Sequence, residues 1–128
     1  MIAYCTYCSA EKDPSEFPLS AINRYRSSRI TDVYTSANAA SVKFVILSGK
    51  YGVIDAHHKI DYYDHLLLPS EVEKHVELVV SQLKEMGITK LVFYTVSVLA
   101  ELKIGPYIDC IKLSAAKNGT AIVVKEIS

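Results

Sequence analysis

The sequence predicts an α/β domain, a three-layer arrangement around a mainly parallel four-stranded sheet in the order 2-1-3-4. Three observations predict it: near-continuous apolar runs at Met1–Tyr7, Val42–Leu47, Lys90–Tyr94 and Thr120–Lys125; helical periodicity between them; and strict alternation of the two along the chain. The right-handed rule for crossovers between parallel strands then puts helices on both faces of the sheet.

Met1–Tyr7 is apolar and aromatic and is stopped by a polar run containing Pro14 and Pro18, so it reads as a buried first strand. From Ser20 to Ala40, Ile22, Tyr25, Arg29, Val33, Ala37 and Ala40 fall at helical spacing, which predicts one helix. Val42–Leu47 ends at Ser48-Gly49, the form of a strand covered on both faces. Ser70 stands three residues before Glu73 as a capping box, and Val72, Val76, Val79, Val80, Leu83 and Met86 trace one helical face up to Gly87. Lys90–Tyr94 is the third strand and Thr120–Lys125 the fourth, with Ser97–Lys117 between them helical in period but interrupted at Gly105-Pro106.

The chain has 128 residues, half of them apolar and 22% charged, which suits one domain spanning 1–128 with one core. Fourteen basic residues balance fourteen acidic ones, so the broad positive field of a non-specific duplex binder is excluded and any nucleic acid contact must be local. Residues 1–60 carry seven Lys/Arg against five Asp/Glu, so what is basic lies early. The first residues have no basic region followed by a long apolar stretch, so a leader is not expected, and no apolar stretch approaches the ~18 residues of a membrane span. A cytoplasmic protein without membrane contact is expected. Three cysteines make an odd count, which argues against a secreted disulfide framework.

In open α/β sheets the ligand crevice lies beyond the carboxyl ends of the strands, near the point where strand order reverses. That rule selects Tyr7-Cys8-Ser9, Ser48-Gly49-Lys50-Tyr51 and Tyr94-Thr95. In Ser48–Gly52, two glycines around a lysine would let backbone N–H groups and an ammonium approach an anion, although the alternative is a plain tight turn. Neither a Walker motif nor a dinucleotide fingerprint is present, and no cofactor is expected. Asp61-Tyr62-Tyr63-Asp64-His65 gathers two carboxylates, two phenols and an imidazole, enough to bind a base or sugar and move a proton; otherwise one tyrosine plugs the core and the aspartates cap a turn.

Cys5 and Cys8 with the pair His57-His58, or with His65 in place of one of them, would give four zinc ligands, but no turn separates the cysteines, so no metal is expected. Cys5 and Cys110 read as small buried hydrophobes, and Cys8 as a strand-end thiol. Arg24, Arg26 and Arg29 are the densest basic cluster, with Arg26 and Arg29 on one helical face that either holds phosphate or is simply solvated.

Cys8-Ser9-x-x-Lys12, then Ile46–Ile54 with Ser48-Gly49-Lys50-Tyr51-Gly52 at its centre, then Ile60–Asp64 resemble the small uncharacterised domain family related to the bacterial peroxide-stress protein YaaA. That family's pattern is a Cys-Ser followed by a lysine, a strand ending in Ser-Ala-Lys-Tyr-Gly-Leu-Leu, and an isoleucine shortly before Pro-Tyr-Asp. The resemblance covers roughly the first half of the chain. Gly49 stands where the family has alanine and Tyr62 where it has proline, which frees the backbone ahead of Tyr63.

The resemblance implies a topology similar to that of uracil-DNA glycosylases and a nucleotide-binding or nucleic acid modification role. It implies a site of Cys8, Ser9, Lys12, Ser48, Lys50, Tyr51, Tyr63 and Asp64, and the strand-end rule adds Gly49. The leading expectation is recognition of a nucleobase, nucleoside or nucleotide, with action at an N-glycosidic bond. Lys50, Lys12 and Ser48 would hold oxygens, Tyr51 and Tyr63 would stack, and Asp64 and Lys50 would carry the chemistry. Two other classes are open: a non-catalytic nucleic acid or nucleotide binding module, and a homodimeric structural protein.

Overall fold

The computed structural model describes residues 1–127. Its strands are β1 (Ile2–Tyr7), β2 (Leu19–Ser20), β3 (Lys43–Ser48), β4 (Gly52–Asp55), β5 (Lys59–Ile60), β6 (Lys90–Thr95) and β7 (Ala121–Glu126). Its helices are α1 (Ala21–Arg24), α2 (Ser28–Ala40), α3 (Val72–Met86) and α4 (Gly105–Asn118).

The fold is α/β around a mainly parallel, five-stranded mixed sheet of order β4-β3-β1-β6-β7, with a small antiparallel pair of β2 and β5 beside it. The expectation of a four-stranded sheet is therefore corrected. The four apolar runs form the parallel strands β3-β1-β6-β7, and Gly52–Asp55 adds an antiparallel edge to β3, with Ser48 opposite Gly52 and Val45 opposite Asp55. A run of only three residues between β3 and β4 permits a hairpin and no crossover, so the edge must run antiparallel.

Alternation sorts the side chains. Ala3, Cys5 and Tyr7 of β1 align with Leu91 and Phe93 of β6 toward the face where α3 and α4 pack against each other, whereas α2 lies on the opposite face against β1 and β3. Val76, Val79 and Leu83 of α3 and Tyr107, Cys110 and Ile111 of α4 are buried there.

Three element boundaries differ from the sequence reading. The single helix over Ser20–Ala40 is broken at Tyr25, which is extended (φ −82°, ψ 127°) and bridges Lys12. The cause is Arg24. Its side chain is fully buried, and its guanidinium donates to the carbonyls of Asp13 (2.7 Å), Ser15 (2.9 Å), Phe17 (2.7 Å) and Ile60 (3.2 Å). Arg24 thus ties the loop after β1 to β5 without a carboxylate partner, and the helix restarts only at Ser28 with Ser27 as its cap.

The expected Ser70–Glu73 box does not form. Pro69 opens a short 3₁₀ turn, Pro69–Glu71, and the Glu71 carboxylate accepts the Leu68 N–H at 2.8 Å. Gly105-Pro106 does not interrupt a helix but starts one, as proline's fixed φ and missing N–H favour at a first turn.

Candidate functional site

β1 leaves the sheet toward α2 on one face and the neighbouring β6 leaves toward α4 on the other. Their carboxyl ends therefore diverge, and this is the topological switch point of the sheet. A crevice of about 300 Å³ opens there. Tyr7 and Cys8 from the end of β1 and Tyr107 from the first turn of α4 form its inner wall, and Lys12, Asp64 and Glu101 stand among its outer residues. The Tyr7 and Tyr107 rings are 6.1 Å apart. A second cavity of about 570 Å³ shares Tyr7, Cys8 and Ser9 and extends to Arg26 and Asp32 at the start of α2.

Arg29 fixes the end of β1. Its Cζ lies 3.5 Å from the centre of the Tyr7 ring, and its guanidinium donates to Thr6 Oγ1 (2.5 Å), the Tyr7 carbonyl (2.7 Å) and the Cys8 carbonyl (3.3 Å). Carbonyls that have run past the sheet ladder are satisfied in this way by a planar cation. Burial pushes the Tyr7 phenol up, with the Arg29 charge pulling against it, and burial lowers the Arg29 guanidinium.

Behind this wall lies a buried hydroxyl chain. Ser48 Oγ accepts the N–H groups of Lys50 (3.1 Å) and Tyr51 (3.0 Å), which occupy both lone pairs, so its own proton is directed to Tyr63 Oη at 2.8 Å. Tyr63 Oη in turn pairs with Tyr25 Oη at 2.6 Å. The Ser48 carbonyl accepts from His75 Nε2 of α3 at 2.8 Å. Burial, and next the proximity of Cys8, raises the pKa of both Tyr25 and Tyr63, so both remain phenols across the ordinary pH range.

The expected site residues separate into three groups. Cys8, Ser9, Lys12 and Asp64 line the crevice. Lys50 and Tyr63 line a shallow depression next to it, with Asp64 and His65 shared by both. The Lys12 ammonium is 4.6 Å and the Lys50 ammonium 5.8 Å from the centre of the Tyr63 ring. Lys50 also lies 5.2 Å from the Tyr51 ring, which is the place the structure gives Tyr51.

Ser48 is fully enclosed, and this corrects its reading as a ligand contact, whereas Gly49, also buried, borders the depression that Lys50 and Tyr63 line. The backbone cradle expected over Ser48–Gly52 is corrected as well. The segment is a hairpin turn in which Ser48 Oγ takes two N–H groups and Gln82 Oε1 takes that of Val53 (2.8 Å), so those donors are already committed. Tyr63 is buried while Tyr62 is exposed, which is the tyrosine half of one of the two open readings of that segment; among the described residues neither Asp61 nor Asp64 caps a turn through a side-chain hydrogen bond.

Cys5 and Cys110 are buried hydrophobes, with the Cys110 thiol pushed up to about 11 by burial. Among the described residues no group of three or more metal-ligating side chains converges. His57 instead lies 3.5 Å from Tyr34 Oη, and His65 pairs with Glu71 at 3.0 Å. Arg26 and Arg29 do not share a helical face: Arg26 precedes α2 and reaches Asp13 at 3.4 Å.

Sequence reasoning missed Tyr107 and Glu101, and it read Arg29 as a phosphate-holding or solvated residue where its guanidinium binds the end of β1. Tyr107 was legible once Pro106 is taken as a helix start. Glu101 carries no local signal, because only the fold brings it to the crevice, and the basic cluster that drew attention to Arg29 did not tell which atoms it would bind. No family model, curated protein or solved structure matches this chain.

Proposed function

We propose that this protein recognises a nucleobase, nucleoside or nucleotide in the crevice between the ends of β1 and β6, with Asp64 acting at the N-glycosidic bond. The observation that supports this is the pairing of an aromatic inner wall, Tyr7 and Tyr107, with ammonium groups and carboxylates from Lys12, Lys103, Asp64 and Glu101 in one cavity of about 300 Å³. A base needs aromatic surface for its faces, donors and acceptors for its edge, and a cation for any attached phosphate. A carboxylate at the mouth suits the positive charge that develops on a sugar as its glycosidic bond breaks.

One observation favours a second reading, a non-catalytic binding module. Asp64 is exposed, and among the described residues it has no hydrogen-bond or ion-pair partner to orient it.

A melting panel of bases, nucleosides and mononucleotides tests recognition. A true ligand at a hundred times its Kd adds about 2.7 kcal/mol of stability and raises the melting temperature, and Lys12→Ala should weaken that response. A flat panel refutes the proposal. Release of free base in single-turnover assays separates the enzyme from the module.

A further inference from the structure

A mainly parallel sheet is ordinarily covered on both faces. In this protein α2 packs on β1 and β3 on its side, and among the described residues no helix packs on the β6–β7 half of that face. The alternate residues that point there from β7, Ala121, Val123 and Lys125, are all exposed, while Ile122 and Val124 on the α4 side are partly covered.

Two aromatic rings stand on this strip, beside Val92, which is buried and lies between Tyr4 and Val123 in the register. Tyr4 and Tyr94, both part-exposed, meet edge to face with centroids 5.3 Å apart, and the Lys125 ammonium lies 5.8 Å from the Tyr94 ring. The strand register puts Lys90 at the other end of the same strip, roughly 13 Å from Lys125 at 3.3 Å per residue. No carboxylate occupies any position of β1, β6 or β7 on this face, because Glu126 aligns with Thr95 and points the other way.

We propose that this half-sheet is a platform for single-stranded nucleic acid. Tyr94 and Tyr4 would stack bases, and Lys90 and Lys125 would neutralise phosphates. The charge pattern is what selects the occupant. Lysine is depleted from protein–protein contact surfaces, where burying an unmatched ammonium is costly, whereas a polyanion matches both lysines. Every base offers a π-face to an aromatic ring, so such a platform tolerates sequence and prefers unpaired strands. The proposal does not rest on the crevice reading.

The test is fluorescence anisotropy of a labelled oligothymidylate of about 20 nucleotides with the full chain at low salt. Binding is expected, with log K falling against log[salt] at a slope of about −1.4 for two phosphates neutralised on a single strand. Tyr94→Ala should weaken binding about 5-fold to 100-fold, and Lys125→Glu, at an exposed position, should flatten the salt slope without lowering the melting temperature. Absence of binding overturns the proposal, as does equal binding by a folded Lys125→Glu protein. Displacement of the oligonucleotide by a nucleoside that shifts the melting temperature would place the strand in the crevice and also overturn it. Concentration-dependent self-association abolished by Val123→Glu would show that a second copy covers this face instead.

Discussion

Tyr107 Oη stands 2.8 Å from the point where a Cβ on Gly49 would lie, and it accepts the Leu67 N–H at 3.0 Å. One phenol therefore joins the end of β3, the segment carrying Asp64 and the first turn of α4. The glycine is required by this close approach, since its backbone is not in the left-handed region. Gly49→Ala should cost about 1–3 kcal/mol, because the new methyl group must displace the Tyr107 hydroxyl and also presses on backbone at 3.2 Å. In a Tyr107→Phe background the same change should cost about 1 kcal/mol less, since the nearest atom is gone. Chemical denaturation of the four proteins of this cycle measures the coupling, and strict additivity would refute the contact.

Ser48→Ala removes the acceptor for two backbone N–H groups and the partner of Tyr63 in one step. The expected cost is about 1–3 kcal/mol, the scale for leaving buried polar groups unpaired. Because Ser48 is fully enclosed, ligand affinity per folded molecule should be unchanged. An affinity loss in protein of undiminished stability would return Ser48 to the binding surface.

Alkaline pH should unfold the protein. Burial raises the phenols of Tyr25, Tyr63 and Tyr107 and the Cys110 thiol, the last to about 11. A group whose folded pKa lies above its unfolded value keeps its full stabilisation below the unfolded pKa and loses it as pH rises. The window therefore opens at about pH 9 for the thiol and about pH 10 for the phenols. Melting temperature should hold from neutrality to about pH 9 and fall steadily above it. Ultraviolet titration should leave these three of the nine tyrosines un-ionised until the chain unfolds. Reversible ionisation of all nine near pH 10 in folded protein would contradict the buried network.

The parallel strands were legible because each is a short apolar run bounded by turn residues, a pattern that needs no knowledge of neighbours and that holds even for β7, whose Ala121, Val123 and Lys125 are exposed. The edge strand β4 escaped notice because Gly52–Asp55 is only four residues long and its first residue, Gly52, also closed the supposed anion loop. The break at Tyr25 was hidden for a different reason. The spacing of Ile22, Tyr25 and Arg29 is helical, and what overrides it is the demand of the buried Arg24 for carbonyls from residues 13 to 17 and from Ile60. At the site, the strand-end rule located the crevice and picked Cys8 and Ser9. It also picked Ser48, whose hydroxyl is turned inward to Tyr63, because a strand end says where a residue lies but not which way its side chain points.

Asp64 decides between chemistry and simple recognition. It is exposed, it lies on the wall shared by the crevice and the Lys50 depression, and no partner among the described residues holds it. Replacing its carboxylate with an amide should therefore leave the unfolding free energy within about 0.5 kcal/mol of the parent, the usual range for a surface change. If Asp64 stabilises charge on a sugar, Asp64→Asn should keep nucleoside affinity nearly constant while slowing single-turnover base release ~10²-fold or more. KM would then hold while kcat falls, a split that a merely structural residue does not produce. Lys50, 5.8 Å from the same Tyr63 ring, should behave differently: Lys50→Ala should weaken nucleotide more than nucleoside, because its ammonium answers a phosphate. Unchanged turnover in a stable Asp64→Asn protein would remove Asp64 from the chemistry and leave the crevice as a binding site alone.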